Sequence, residues 1–326
     1  MIGAAIRGMT AAALLALLVP SASFGADTDW PARPVRIVAP STPGGAADLF
    51  GRLLADKLGE VLGERFYVDN RPGGGGLIGA QVTAHAPADG YTLMTSSIAY
   101  QAIAPAVNPN PGFDPVRDFT HVAYLGGPPN VFIVNPSLGV RSIKELVALA
   151  QMRSLDYVSP GTGTLGHLLV EYFSQRAGIR LQHIPHKGSA QAMMDLLAGS
   201  VMFGTMTFSS AAGQIRAGKV LPIAVSSKQR VREFPDVPTL RELGYDDIVA
   251  NTWYGLSGPA GLAEPVVLKL HDAAQKFLAL PDVKERFEKD AIEAEPMTTE
   301  EFTRFMASEV AKWGPIAKKL GAASNN

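Results

Sequence analysis

The fold is decided by the stretch VRIVAPSTPGGAADLFGRLLADKLGEVL at 35–62. Its first six residues, 35–40, form a short apolar run that predicts a strand, and a turn of Ser, Thr, Pro and Gly follows at 41–45. Apolar residues then recur at helical spacing over 46–62, and Gly63 is a typical residue to end a helix. The stretch therefore predicts a strand, a glycine turn and a helix.

The same order repeats along the chain. Strands are predicted at 66–68 and 91–94, with a glycine loop at 70–76 and a short helix at 77–85 between them. This β-α-β-α-β order predicts a parallel sheet with right-handed crossovers. A second set of strands and helices runs over 131–225, and the rest of the chain is mostly helical.

These repeats predict an α/β protein with two α/β lobes joined by two crossings around a central cleft. We expect lobe 1 at 27–127 plus 249–326, and lobe 2 at 128–248. The crossings are predicted near the GGPP sequence at 126–129 and near 251–253. Two lobes joined in this way can close on a ligand.

The N-terminus has the composition of a secretory signal peptide. Arg7 is the one charged residue before an unbroken apolar run at 11–19, and small residues follow. The run is too short to span a bilayer, which needs about 20 apolar residues. We expect a signal peptide at 1–26, cleavage between Ser23 and Ala26, and a soluble protein exported to the periplasm.

Charge and cysteine content exclude several classes of function. The 326 residues include 29 Lys and Arg against 30 Asp and Glu, which gives a net charge of −1. A nucleic-acid binder needs a basic face, so we expect no nucleic-acid partner. The absence of Cys excludes disulfides, thiolate nucleophiles and cysteine metal sites.

Three glycine loops stand at predicted strand-to-helix junctions, at 41–48, 70–76 and 159–167. Such junctions direct backbone N–H groups and the positive end of a helix at one point, which favours phosphate, sulfate or carboxylate. Asp48 in the first loop is interpreted as a capping residue rather than a ligand contact. The second loop is equally consistent with plain turn glycines.

The second and third loops contain the spacing G-x-G-x-x-G, but neither is followed about 20 residues later by the acid that holds a ribose. We therefore predict no nucleotide and no other cofactor. The nucleophile motif G-x-S-x-G and the zinc motif H-E-x-x-H are both absent. His183 and His186 flank Pro185, which breaks a helical ligand pair. We predict no catalytic residue and no metal site.

Short motifs spread over the chain point to a known family. They are WPARPVRIV at 30–38, PGG at 43–45 with Asp48, NRPG at 70–73, ADGYTL at 88–93, DPVRDF at 114–119, NPS at 135–137, KGS at 187–189 and FPDVPT at 234–239. In their order and spacing the chain resembles the periplasmic substrate-binding proteins of tripartite tricarboxylate transporters, the Bug or TctC family. The resemblance implies a type II periplasmic-binding-protein fold that closes around a small carboxylate.

The resemblance also implies that the loops at 41–47 and 159–164 hold the carboxylate from opposite lobes. Trp253 lies at the second crossing and is a further cleft candidate. The predicted ligand-binding residues are Ser41, Thr42, Gly44, Gly45, Ala46, Ala47, Ser96, Gln101, Ser159, Gly161, Thr162, Gly163, Thr164, His167, Thr205, Met206 and Trp253.

One departure from the family bears on the ligand. Many relatives have Phe-Asp-Asn where this chain has Thr205-Met206-Thr207. In amino-acid-binding members that Asp is suited to a ligand ammonium, which Met206 cannot pair with, and an unpaired buried charge is costly. The hypothesis is a ligand without an amine, either an aliphatic di- or tricarboxylate or an aromatic acid.

These observations favour a monomeric, non-enzymatic binding protein that delivers a small carboxylate to the membrane permease subunits of a tripartite tricarboxylate-type transporter. Two alternatives stay open on the sequence. One is an exported α/β hydrolase or lyase, and the other is a sensor that passes the same ligand to a signalling partner.

Overall fold

The computed structural model of the protein describes residues 29–44, 46–186 and 188–324. The predicted signal peptide at 1–26 and the predicted site residue Gly45 lie outside the described residues. Two five-stranded sheets form the framework. The first has the order β2-β1-β3-β10-β4 and the second has the order β7-β6-β8-β5-β9. The strands of the first sheet are β1 Val35–Ala39, β2 Phe66–Asn70, β3 Thr92–Ser97, β4 Phe119–Gly126 and β10 Tyr254–Pro259. Those of the second are β5 Asn130–Val134, β6 Leu155–Ser159, β7 Leu181–Pro185, β8 Phe203–Thr207 and β9 Leu221–Val225.

Helices cover both sheets. Those connecting or covering the first sheet are α1 Ala46–Leu62, α2 Leu77–Ala84, α3 Ala104–Val107, α8 Glu264–Ala279, α9 Pro281–Lys289 and α10 Thr299–Ser324. Those of the second are α4 Ile143–Met152, α5 Leu165–Ala177, α6 Ser189–Ala198 and α7 Phe208–Arg216.

The predicted parallel arrangement of the first three strands is confirmed, because β1 pairs in parallel with both β2 and β3. Two strands run the other way: β5, which the sequence predicts as a strand, and β10, which it does not. β5 is antiparallel to β8 and β9, and β10 is antiparallel to β3 and β4. The reason is the path of the chain: β5 and β10 each enter their sheet from the edge where the chain crosses over, so they run away from that edge while the parallel strands run towards it.

The hydrophobic core has a part for each sheet and a part that both share. Leu54 and Leu58 of α1 pack with Phe277 of α8 on the first sheet, and all three are fully buried. A further cluster joins Phe302 and Trp313 of α10 to residues of the second sheet and its helices. The last helix therefore packs on both lobes, with Phe302 against Tyr124 of β4 and Trp313 against Tyr172 of α5.

The two crossings, 127–129 and 251–253, lie side by side, and we call them the hinge. The N–H of Thr252 donates to the carbonyl of Pro128 over 2.9 Å, and the side-chain amide of Asn130 donates to the hydroxyl of Thr252 over 3.1 Å. Gly127 sits so close to the second crossing that a Cβ placed on it would lie 2.2 Å from the carbonyl oxygen of Thr252. Only glycine allows this approach.

Replacing Gly127 with Ala is therefore expected to lower the free energy of unfolding by about 2 kcal/mol or more, since the atoms in the way are backbone atoms that must shift. Chemical denaturation of the purified protein measures this loss.

Gly213→Ala is the matched control, because Gly213 lies inside α7 with nothing within 4 Å of the added Cβ. This variant is expected to gain about 0.5–1 kcal/mol from the better helix propensity of Ala. Equal effects of the two substitutions would contradict the close approach at the hinge.

Candidate functional site

The two sheets present their strand ends to each other across the hinge. In the first sheet β1 and β3 end at this edge, and β10 begins there at Tyr254, which pairs with Ser97. In the second sheet β6 and β8 run in parallel and end there, with Ser159 and Thr207 as their last residues. The loops that leave β1 and β6 therefore face the same cleft, as ligand loops do at the carboxyl ends of parallel strands.

The loop that leaves β1 is held by a buried carboxylate. Asp48 is only 2% exposed and accepts hydrogen bonds from the N–H of Gly44 and the amide of Asn70, both over 2.9 Å. Arg52 forms an ion pair with it at 2.9 Å. Burial alone would raise the pKa of Asp48, but the donors from Arg52, Gly44 and Asn70 outweigh it and hold the pKa below its usual value.

This geometry agrees with the interpretation of Asp48 as a capping residue. The exposed residues of the loop are Thr42, Pro43 and Gly44; the N–H of Gly44 is used by Asp48, and Thr42 adds an exposed hydroxyl. Ser41 is half-buried beside Tyr100, and Ala46 and Ala47 open α1. The loop therefore offers neutral donors at a helix N-terminus.

The loop that leaves β6 is built from hydroxyl and imidazole groups. The hydroxyl of Ser159, which is fully buried, lies 2.7 Å from Nε2 of His183 and accepts from the N–H of Gly161 over 3.2 Å. Thr164 caps α5, since its hydroxyl accepts from the N–H of His167. The predicted loop residues Gly161, Thr162, Gly163 and Thr164 all lie in this segment before α5.

A stacked pair of imidazoles supports this loop. The rings of His167 and His183 are 4.1 Å apart at 18°, and Nδ1 of His167 accepts from the N–H of Gly163 over 3.2 Å. Burial lowers the pKa of each imidazole to about 4, so both are neutral at pH 7. His183 is not among the predicted site residues, although its strand, β7, is the parallel neighbour of β6 and ends at the same edge.

Two other predicted residues carry buried polar atoms without partners. Gln101 lies in the turn of π-helix after β3 and is fully buried, and neither its Oε1 nor its Nε2 has a hydrogen-bond partner among the described residues. The hydroxyl of Thr205 in β8 is equally buried and has no partner in the same part of the chain. Unpaired buried polar atoms cost free energy and are typical of sites that bind a ligand or water.

Three predicted residues are bonded or packed within the protein instead. The hydroxyl of Ser96 accepts from Ser257 over 3.1 Å. Met206 points to the side of the second sheet that carries α6 and α7, within a core of fully buried side chains. Trp253 is 1% exposed and donates from its indole to Glu309 over 2.9 Å. The structure does not bring these three side chains to the two loops, and their contact with a ligand stays a prediction.

A cavity of about 680 Å³ lies between the lobes on the α1 side of the hinge. Its walls come from distant parts of the chain, so the cavity was not predicted from the sequence. The wall in lobe 1 is formed by Leu49, Phe50, Leu53 and Tyr254. Helix α9 contributes Asp282, Val283, Arg286 and Phe287. The wall in lobe 2 is formed by Thr207, Ser209 and Ser210.

The described residues contain neither a metal-binding cluster nor a membrane-spanning helix. Within 29–44, 46–186 and 188–324, no group of three or more His, Cys, Asp or Glu is placed to hold a metal ion. No helix in the described part of the chain is long and apolar enough to cross a membrane.

Comparison with known proteins agrees with the geometry. Residues 50–322 match the profile of the tripartite tricarboxylate transporter family receptor. The chain is 34% identical to Protein BugT of Bordetella pertussis over 305 residues, which is 93% of each chain. It is also 34% identical to a protein encoded in the gbd 5′ region of Cupriavidus necator, over 97% of each chain.

Solved structures resemble the chain equally well. A protein of R. palustris solved with adipate is 32% identical, with a TM-score of 0.79 over 90% of this chain and 99% of that one. The periplasmic binding protein BugD is 32% identical with a TM-score of 0.75, over 90% of this chain and 99% of its own. MatC of Rhodopseudomonas palustris, with bound malate, is 26% identical with a TM-score of 0.76, over 88% and 99%. The predicted periplasmic-binding-protein fold with two α/β lobes is confirmed.

The buried imidazoles make stability depend on pH. Because burial lowers the pKa of His167 and His183 to about 4 in the folded state, the unfolded chain binds protons more tightly. The free energy of unfolding is expected to fall as pH falls from about 6.5 to about 4, by at most about 1.4 kcal/mol per pH unit for each histidine. Urea denaturation at several pH values measures this slope.

The double variant His167→Gln/His183→Gln is expected to have a shallower slope in this window than the unmodified protein. His85→Gln is the control, because His85 is exposed. A slope that the double variant leaves unchanged would show that the imidazole pair is not buried as described.

Proposed function

Because the chain belongs to the tripartite tricarboxylate transporter receptor family, we propose that it binds a small carboxylate in the periplasm and passes it to the permease subunits of such a transporter. The observation that carries the proposal is the pair of glycine loops facing one cleft, each at the N-terminus of a helix. Relatives of the same fold have been solved with adipate and malate, which are both carboxylates.

The chemistry of the two loops supports an anion as the ligand. Backbone N–H groups and hydroxyls are donors, and a carboxylate is the acceptor that uses several of them at once. Gln101 and Thr205 add buried polar atoms that have no partner within 29–44, 46–186 and 188–324. The proposal assigns the ligand contacts to the loops at 41–47 and 159–164 with these two residues.

The proposal also concerns what the ligand lacks. None of the predicted contact residues is acidic, and the one carboxylate in the first loop, Asp48, is bonded to Gly44, Arg52 and Asn70. Met206, at the position where many relatives have Asp, is buried in an apolar core. A ligand ammonium would have no negative partner from these residues, so the ligand is a carboxylate without an amine.

A hydrolase needs a serine that can reach its substrate. The Ser159–His183 contact of 2.7 Å has the geometry of a nucleophile and its base. Ser159 is fully buried, however, and its hydroxyl already accepts from Gly161. These facts favour a structural role for the pair and a binding function for the protein.

A titration panel tests the ligand class. Calorimetry with succinate, citrate, terephthalate, benzoate and glutamate is expected to show the tightest binding for an acid without an amine. The same acids incubated with the protein are expected to be recovered unchanged. Tight binding of glutamate alone would contradict the ligand class, and product formation would contradict the binding function.

A glycine variant tests the loop of the second lobe. Gly163 has a positive φ of 76° and nothing within 4 Å of an added Cβ, so Gly163→Ala strains the loop and places a methyl group in the cleft. Carboxylate affinity is expected to fall about tenfold or more, as measured by calorimetry.

Gly178→Ala is the matched control, because Gly178 has a similar φ of 65° and open space, but lies at the far end of α5. Both variants cost about 1 kcal/mol of stability from backbone strain. Equal losses of affinity in the two variants would indicate that the effect on binding comes from stability and not from the loop.

A further inference from the structure

An apolar cavity lies between α1, α9 and the start of α7. On the premise that the protein binds a carboxylate between its two loops, we infer that this cavity holds the rest of the ligand. The ligand is then a monocarboxylate with an apolar body, such as an aromatic ring or an alkyl chain of about four to six carbons. Among carboxylates without an amine, the cavity thus favours acids with one charged end over di- and tricarboxylates.

The walls of the cavity begin near the two loops. Thr207 ends β8, which is the direct neighbour of β6, the strand that leads into the loop at 159–164. Tyr254 begins β10, which is two strands from β1 in the first sheet. Neighbouring strands are about 4.8 Å apart, so these walls begin about 5–10 Å from the two loops. That distance is the length of a ring or a short alkyl chain.

The wall of the cavity in lobe 1 is apolar and largely aromatic. Phe50 stacks on Tyr254 with ring centroids 5.0 Å apart at 25°, and its other neighbour, Phe287, lies at 5.7 Å. Leu49 completes this face and is 58% exposed. A large apolar side chain at the mouth of an apolar cavity gains free energy when a ligand covers it. A cavity of about 680 Å³ is also within the usual range for small-molecule pockets.

The charged groups at the rim of the cavity are held in ion pairs. Arg286 is the positive group in the lining, and its guanidinium is paired with Asp290, while Asp282 lies 3.5 Å from the ammonium of Lys57. Among the described residues, the rim therefore has no unpaired positive charge for a second carboxylate. On the side of lobe 2 the polar groups are hydroxyls, with Thr207 and Ser210 hydrogen-bonded to each other over 2.8 Å. This pattern favours an acid with one charged end.

Calorimetry with a series of acids tests the inference. Affinity is expected to increase about fourfold for each methylene from acetate through butanoate to hexanoate, because each methylene enters the apolar cavity. Benzoate is expected to bind more tightly than acetate. Adipate is expected to bind more weakly than hexanoate, from which it differs by a carboxylate at the far end.

A pair of leucine variants locates the effect. Leu49→Gln replaces the exposed apolar residue at the mouth of the cavity, and Leu268→Gln is the matched control on α8, where Leu268 is 51% exposed. Leu49→Gln is expected to weaken hexanoate and benzoate about threefold to tenfold and to leave acetate unchanged. Leu268→Gln is expected to change none of the three affinities.

The possible results distinguish a failure of the inference from a failure of the proposed function. Binding of succinate or citrate with no gain along the alkyl series overturns the inference and leaves the proposed function intact. Equal effects of Leu49→Gln on acetate and hexanoate also overturn it, because the cavity then has no selective role. Failure of every acid to bind overturns both the inference and the proposed function.

Discussion

The cleft depends on one buried charge, the carboxylate of Asp48. It is removed from water and stabilised by the N–H of Gly44, the amide of Asn70 and the guanidinium of Arg52. An unpaired buried carboxylate is costly, so these contacts tie the loop after β1 to α1 and to the end of β2. The charge is used within the protein, and the loop presents neutral donors to the cleft.

The second lobe reaches a similar result without an ion. Ser159, Gly161 and Thr164 bond to one another, and His183 and His167 stack behind them as neutral imidazoles. Helix N-termini on both sides then supply the positive potential. This arrangement explains how a protein with a net charge of −1 can recognise an anion. The apolar cavity beside the loops adds a means of selecting the rest of the ligand.

Local patterns in the sequence predict much of this architecture. The strand, glycine turn and helix at 35–62 are recognisable because the pattern is continuous along the chain. β4 and β10 were not predicted from the sequence. For β10 the reason is its local pattern. The sequence of β10, YGLSGP, contains two Gly and a Pro and is typical of a turn, and it becomes a strand only by pairing with β3 and β4.

Part of the candidate site was likewise predicted from the sequence and part was not. The two loops were predicted from their own residues, whereas His183 and the cavity required the three-dimensional structure. Phe50 and Phe287 are more than 200 residues apart in sequence. Their rings nevertheless form one wall of the cavity together with that of Tyr254. Met206 and Trp253 were selected by position in the chain, and their orientation depends on tertiary packing that no local pattern reveals.

The central claim is that one carboxylate contacts both loops, and the backbone amides of Thr42 and Thr162, the exposed threonines of the two loops, report on it most directly. The measurement is an NMR titration of the ¹⁵N-labelled protein with the tightest-binding acid, following both amide signals and that of Gly178 as a reference. The account predicts that the signals of Thr42 and Thr162 move together, with the Kd found by calorimetry, while Gly178 stays in place. Saturation with only one loop responding, or with neither, would contradict it.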